Sequence, residues 1–317
     1  MMLDSLNNLK GEYIFYKDGI EVARSQNIVT NDGKEALISY LNRRDSEYAS
    51  RIILGSGTST PLATDQFLEF EVFPTSVSFR TLDFTQTPTQ IVFRSTIPPT
   101  FKGVVRESGL STLGGINLSD LNDVNDNNEI VATFDSDFEA WSISSGVAFH
   151  VNDLEGTPRL RVGDSGLEFT VPSTQTKTST WSANAPLESY ISSDKIKVAF
   201  HISGAVPSQI SIKFSNDSLN FYTLPISSGM VVGYNILTFN VSQLVATGNP
   251  VIQNTESMTV TVTAAGSQSV VTMDAIRFDN YSSVEKPILV SRSVLSTPLV
   301  VEGGYPFDVE YRLGFSI

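Results

Sequence analysis

The most constraining feature of the chain is the stretch from Ile130 to Asn280, where short apolar or alternating runs follow one another with no helical period between them. They read IVATF, AWSIS, GVAFHV, PRLRV, LEFTV, TKTSTW, KIKVAFHI, QISIKF, FYTLP, YNILTFNV, SMTVTVTA and VVTMDAIRF. Runs of this length, rich in Val, Ile, Thr and aromatic residues and bounded by turn formers, suit strands half-buried on a pleated surface. Enough of them are present to cover two facing sheets, so residues 130–280 are expected to form a β-sandwich of jelly-roll type.

The flanks are β-rich as well. Glu12 to Tyr16 and Ile20 to Arg24 are strand-like runs joined through Asp18-Gly19, a favoured pair for a tight hairpin turn. Behind an Asn/Asp cap at Asn31, residues Ala36, Leu37, Tyr40 and Leu41 recur at helical spacing, and Arg43-Arg44 suits the negative end of the helix dipole. Between Arg51 and Val72 an apolar run enters Gly-Ser-Gly-Thr, and Thr64-Asp65 is expected to cap one helical turn carrying Phe67, Leu68 and Glu69. Glu69 to Arg80, Gln90 to Ile97 and Val104 to Leu110 read as further strands, a set that lacks a closing strand.

Residues 114–129 are rich in Asn, Asp and Gly and poor in large apolar residues, too little to offset chain entropy, and read as a linker. Pro287 to Val301 and Tyr305 to Ile317 are two strands, too few to fold alone. The economical arrangement returns them to the N-terminal sheet. The expected fold is therefore mainly β: a small β-rich domain with one packed helix, residues 1–113 plus 281–317, interrupted by the inserted sandwich at 130–280.

Composition excludes several classes. The formal charge of −13 and the absence of a basic cluster longer than Arg43-Arg44 argue against nucleic-acid partners. No cysteine is present, so there is no disulfide framework, thiolate nucleophile or thiolate metal site. MMLDSLNNLK lacks a basic and an apolar region, and no long apolar run occurs, so neither secretion nor membrane insertion is expected.

The order apolar strand, L-G-x-G-T, small polar residues, then T-D-x-x-L-x-x-E resembles the N-terminal part of bacteriophage tail and tail-fibre structural proteins. The N-x-V-T-N-x-G-K start typical of them stands at Asn27 to Lys34, an E-x-G-L at Glu107 to Leu110, an R-x-V-L-x-T-P-L strand at Arg292 to Leu299, and Y-x-L-x-F at Tyr311 to Phe315. The resemblance touches both ends of the chain and implies a virion part, assembled in the host cytoplasm from copies of itself and other virion proteins. Phe67, Phe70 and Phe73 are candidates for such an interface, with the domain's own core as the alternative.

Phe134 to Trp141 and Met273 to Phe278 are similar to the first and last strands of galactose-binding-like and carbohydrate-binding jelly rolls. In those modules a structural calcium often joins acids of these two strands, which places Asp135, Asp137 and Asp274 as candidate ligands; the alternative is a turn-forming Asp-Ser-Asp and a solvated Asp274. Trp181, Tyr190, Tyr222 and Tyr234 are candidate sugar-stacking rings, each also explicable as core.

Signals for catalysis have plainer explanations. Gly163-Asp164-Ser165-Gly166 is similar to the nucleophile sequence of trypsin-like proteases but lies where a turn is needed, with His150 only 15 residues upstream in an adjacent strand. Gly55-Ser56-Gly57-Thr58 lacks the Lys of a phosphate loop. Ser215 to Phe221 resembles a single Asp-box turn, a hairpin device. His150 and His201 are the only histidines and read as ordinary strand residues. The expectation is a non-enzymatic structural component of a phage virion, tail, baseplate or appendage, with an outward jelly roll. The alternatives are a module binding host surface glycan and, behind it, a polysaccharide depolymerase.

Overall fold

The computed structural model describes residues 9–42, 48–112, 129–137, 139–154, 158–182, 194–279 and 287–315. The chain is mainly β and divides into two compact units, 1–126 with 284–317, and 127–283. The 114–129 linker lies outside the described residues except for Glu129, which opens a strand.

The first unit is built on one antiparallel sheet. Its strands in chain order are β1 (Leu9–Lys17), β2 (Ile20–Val29), β3 (Arg51–Gly55), β4 (Glu71–Ser76), β5 (Phe79–Asp83), β6 (Gln90–Ile97), β7 (Gly103–Ser111), β19 (Leu289–Val301) and β20 (Phe307–Phe315). Their order across the sheet is β4-β3-β7-β19-β2-β1-β20-β6-β5. The last two strands are thus interior: β19 lies between β7 and β2, and β20 between β1 and β6. The sheet curls until β4 meets β6 through side chains, Thr75 Oγ1 lying 2.7 Å from Ser95 Oγ, which donates to the Ser76 carbonyl at 2.6 Å. Tyr13, Phe15, Phe93, Val309 and Tyr311 fill the interior.

Local chemistry sets the shape. Asp18 and Gly19 both have positive φ, 52° and 75°, as a primed turn requires. The helix α1 (Asn31–Leu41) is capped by Thr30 rather than by Asn31: the Thr30 hydroxyl accepts from Gly33 N at 2.9 Å. That hydroxyl also donates to the Leu289 carbonyl, and Thr30 N donates to Val290 O at 3.0 Å, tying the helix start to β19. Arg43-Arg44 lies outside the described residues.

The expected helical turn after Thr64 is absent. Asp65 instead closes a turn on Leu62, and the stretch is held by carboxylates. Glu107 on β7 is fully buried; its Oε1 accepts from Gly57 N (2.9 Å) and Phe70 N (2.7 Å), and its Oε2 from Glu69 N (3.0 Å) and Arg292 Nε (2.9 Å). Arg292 on β19 reaches on to Asp65 Oδ2 at 2.8 Å and to Ser59 Oγ at 2.9 Å. Glu69 accepts from Thr58 N and Ser59 N at 2.5 and 2.7 Å. A Cβ at Gly55 or Gly57 would collide with the Glu107 side chain, so the two glycines make room for it. Backbone N–H groups that a helix would have used internally are spent on these carboxylates.

Phe70, taken above as a candidate interface residue, is fully buried, and Phe73 packs on the core with its ring 5.1 Å from Phe101. Phe67 is half-buried. Core packing withdraws Phe70 and Phe73 from a shared surface.

The second unit is a sandwich. One sheet has the order β15-β12-β18-β10-β9, with β8 (Glu129–Ala132) also on β18; its strands are β9 (Val147–Val151), β10 (Ser165–Val171), β12 (Lys195–Gly204), β15 (Gly233–Asn240) and β18 (Ser269–Asp279). The other has the order β11-β17-β13-β14-β16, formed by β11 (Thr176–Trp181), β13 (Gln209–Ser215), β14 (Phe221–Ile226), β16 (Val245–Thr247) and β17 (Ser257–Thr263). Alternate residues, such as Val198, Phe200 and Ile202 facing Ile212, Phe214 and Val260, make one core. Phe134 stacks on Trp141 at 4.8 Å beneath it.

Two expected strands are not strands. AWSIS keeps a ladder-like bond, Ser142 N to Thr180 O at 2.9 Å, and an isolated bridge of Ser144 to Val147, and PRLRV turns its N–H groups to side chains, as described below. No helix among the described residues is long and apolar enough to cross a membrane.

Replacing Arg292 with Ala leaves Glu107 buried without its countercharge. The expected cost is about 3–5 kcal/mol in the first unit, with the transition of the second unit unmoved. Denaturant unfolding followed by amide exchange of Gly57 and Phe70 checks this; unchanged protection there would refute it.

Candidate functional site

The outward face of the β15-β12-β18-β10-β9 sheet follows from strand alternation. With Phe200 and Ile202 inward, His201 points out; with Leu167 and Phe169 inward, so does Glu168. The ladder sets Tyr234 opposite His201, His201 opposite Thr272, and Gly166 opposite His150. Thr272 is also paired with Glu168. Tyr234, His201, Thr272, Glu168 and His150 therefore cross the sheet as a band.

A segment at residues 158–164 lies over this band and supplies two guanidinium groups. Asn152 pins its start: Oδ1 accepts from Arg159 N (2.9 Å) and Leu160 N (3.2 Å), and Nδ2 donates to Leu160 O (2.9 Å). Asp274 pins its middle. The register of β18 against β12 shifts at this residue, a bulge that turns its carboxylate to the segment. Arg161 N and Val162 N donate to it at 3.0 and 3.1 Å, and the Tyr234 hydroxyl donates to it as well. The segment runs close over β10, for a Cβ at Gly166 would meet Leu160.

The Arg161 guanidinium stacks over the Tyr234 ring at 3.7 Å. Arg159 Nη1 is 3.5 Å from Glu168 Oε2, which lies 3.7 Å from His150 Nδ1 and 3.5 Å from Thr272 Oγ1. These are long contacts, so one carboxylate oxygen is loosely shared among three donors. Nδ1 of His201 is buried with no hydrogen-bond partner. Burial first, then the charges of Arg159, His150 and Arg161, hold the His201 imidazole below its ordinary value, with Glu168 opposing. At the far end of the sheet a buried set, Lys197 and Arg277 on Asp279 at 2.5 Å each, closes the face.

The second sheet's outer face is different in kind. Its threonines satisfy one another across β11 and β17, Thr176 with Thr263, Thr178 with Thr261 and Thr180 with Thr259, at 3.0–3.1 Å.

The structure gathers few of the residues singled out from sequence. Tyr234 is in the band, but Arg161 covers its ring face. Trp181 is half-buried against Trp141 at 5.7 Å, and Tyr222 packs on the core with its hydroxyl on Pro250 O at 3.1 Å; both belong to the other sheet. Tyr190 lies outside the described residues. Two of the three aspartates proposed for calcium have their carboxylates engaged otherwise, and Asp137 is exposed. Asp135 Oδ1 accepts from Asp137 N and Ser165 Oγ, both at 3.0 Å, and Asp274 accepts the three donors above. Among the described residues no three acidic or histidine side chains converge as a metal site. Ser165, buried and bonded to Asp135, has the role of a turn residue. His150, His201, Arg159, Arg161 and Glu168 were missed; the signal available was that both histidines fall on the outward phase of their strands.

No protein-family profile matches the chain, and no curated protein matches it. Solved structures similar to it include the family 11 carbohydrate-binding module from Clostridium thermocellum in complex with a β-1,3-1,4-mixed-linked tetrasaccharide, at 12% identity and TM-score 0.35, covering 48% of this chain and 95% of that one. The family 11 module of the cellulosomal cellulase Lic26A-Cel5E of the same organism gives 10% and 0.33, with 48% and 94% covered. TmCBM61 in complex with β-1,4-galactotriose gives 12% and 0.29, with 44% and 88% covered. At such identities and TM-scores the likeness decides nothing about function, which rests on the chain's own residues.

Burial pushes the Asp274 carboxyl up to about 6 from an ordinary 3.8, against the hydrogen bonds from Tyr234, Arg161 and Val162 that pull it down. A raised carboxyl binds its proton more tightly in the folded state, so its contribution is present below the ordinary value and lost as pH rises through about 6. On the order of 3 kcal/mol should be lost across that window. Urea unfolding of the native chain and of Asp274→Asn from about pH 4 to about pH 7 checks this: the native chain should lose more stability than the variant, and parallel curves would refute it.

Proposed function

We propose that the second unit is a non-catalytic glycan-binding module and that the outward band of its β15-β12-β18-β10-β9 sheet is the binding face. One observation carries this reading: planar donors and acceptors from four strands and a pinned crossing segment are held at a half-exposed surface with hydrogen-bonding capacity left over. Arg159 has five N–H donors and a single long contact to Glu168. A sugar, with hydroxyls in a fixed stereochemical array, is the class of ligand such a face suits, and the planar guanidinium over Tyr234 offers it a flat surface. In this reading the bulge at Asp274 positions the face and does not touch ligand.

A second reading concerns the first unit and is compatible with the first. The motif residues that resemble phage tail proteins, Gly55, Gly57, Asp65, Glu69, Glu107 and Arg292, come together in one cluster around the buried Glu107 and Arg292, which supports a shared architecture with such proteins and hence a virion part. The edge strand β5 presents Phe79 (52% exposed), Leu82 (50%) and, just after it, Phe84 (75%), an apolar edge of the sort that pairs with another chain. A cleft of about 560 Å³ opens beside it, lined by Tyr16, Phe79, Arg94, Asp308, Glu310 and Arg312 among others. In this reading the edge, rather than the core rings Phe70 and Phe73, is the surface for copies of the chain or neighbouring virion proteins.

Full-length chain on an array of bacterial surface and plant oligosaccharides should retain a defined subset, and His201→Ala should weaken that binding by about tenfold with the circular dichroism unchanged. A silent array would leave assembly as the better account. Light scattering tests the other surface: the native chain should form a defined oligomer that Phe79→Asp with Phe84→Asp dissociates, and a monomer at every concentration would count against it.

A further inference from the structure

We infer that the first unit has a ligand site of its own, the cleft beside β5, and that its ligand is a short neutral oligosaccharide; the site is independent of the glycan reading for the second unit. Its residues follow from strand phase. Phe307, Val309 and Tyr311 of β20 and Phe93 and Ile97 of β6 point into the core, so Asp308, Glu310, Arg312, Arg94 and Thr96 face out. Register sets them in two rows across the strands: Tyr16, Asp308 and Thr96 in one, Glu310, Arg94 and Phe79 in the next. These rows line the cleft of about 560 Å³, with Tyr16 of β1 at one end and the half-exposed Phe79 of β5 at the other. The strands that carry the two rings lie three spacings apart, about 14 Å.

The charges of the cleft are spent on one another. Glu310, buried at its floor, accepts from Arg94 Nε at 2.7 Å on one oxygen and from Arg312 Nε on the other. Arg312 Nη1 lies 3.8 Å from Asp83, and beyond Tyr16 the carboxylates of Glu12 and Glu21 are taken up by Arg24. Each guanidinium thus has a carboxylate, and Asp308 and Asp83 tip the balance to negative, which disfavours an acidic ligand. A lone cationic group would not use both rings, since they stand three strands apart. What remains is hydrogen-bonding capacity between two aromatic walls. With Nε on Glu310 and its side chain 53% exposed, Arg94 keeps its terminal nitrogens for a ligand; Asp308, exposed, gives one oxygen to Thr96 Oγ1 at 2.7 Å and keeps the other. Sugar hydroxyls both donate and accept, and the flat faces of a sugar pack on rings. An apolar side chain from a second copy would instead bury Arg94 and Asp308 without partners.

Calorimetric titration of the full chain with cellotriose, maltotriose, mannotriose and tri-N-acetylchitotriose tests this. At least one should bind, weakened about tenfold by Tyr16→Ala and by Asp308→Asn, with circular dichroism unchanged, and unaffected by His201→Ala in the second unit. Tyr16→Phe, which keeps the ring, should cost less than Tyr16→Ala. Phe79 is left intact because it also belongs to the β5 edge. No binding by any of the four, or binding that survives both cleft variants, would overturn the inference. Binding lost only in His201→Ala would overturn it and leave the second unit's face standing. Dissociation of a native oligomer by Tyr16→Ala, with no sugar bound, would make the cleft a contact between copies and overturn it as well.

Discussion

The Arg292 to Glu107 ion pair is the constraint on which the first unit depends. Its partners come from either side of the inserted sandwich, 185 residues apart, and both are withdrawn from water. A buried pair of this kind gains little over apolar packing, but removing one partner is severe, so the pair enforces a single arrangement. Here the arrangement is the placement of β19 beside β7. Because Glu107 also collects the amides of Gly57, Glu69 and Phe70, the same contact shapes the loop between β3 and β4. The short motifs at the two ends of the chain are thereby explained as parts of one object: glycines that admit a carboxylate, acids that receive amides, and an arginine that joins them.

The second unit uses a buried carboxylate in a related way but to a different end. Asp274 sits on a bulge, turned out of the ladder, and draws residues 161 and 162 down onto the sheet. Asn152 does the same for 159 and 160. Two side chains that accept backbone N–H groups thus replace the strand pairing that PRLRV would otherwise have made, and the arginines of that segment are left over the band of histidines. The polar face is preorganised by elements that lie beneath it.

Much of this was legible before any coordinates. Strand alternation gives the sandwich core, since Phe200, Ile202, Ile212 and Phe214 fall on one phase, and Asp18-Gly19 gives the first hairpin. The return of the last two strands followed from their being too few to fold alone. What resisted reading were places where a side chain takes over a backbone partner. Thr64 to Glu69 has a helix start's residues, yet its acids bind N–H groups of the preceding loop and Arg292. PRLRV has strand composition, yet its amides go to the side chains of Asn152 and Asp274. Propensity sees residue types, whereas these outcomes depend on a carboxylate arriving from far along the chain. The candidate face was hidden for the same reason: each histidine alone is an ordinary strand residue, and only register brings both beside Arg159 and Glu168.

The chain's two histidines both lie in the proposed face, which makes their imidazole resonances a direct probe of it. A proton–nitrogen NMR titration of the full chain with an oligosaccharide retained on the array requires only His150→Gln to assign the two signals. The account predicts that both imidazoles move together, saturably and with one dissociation constant. A sugar that binds, as judged by calorimetry, while both signals stay fixed would place the site elsewhere and contradict the account.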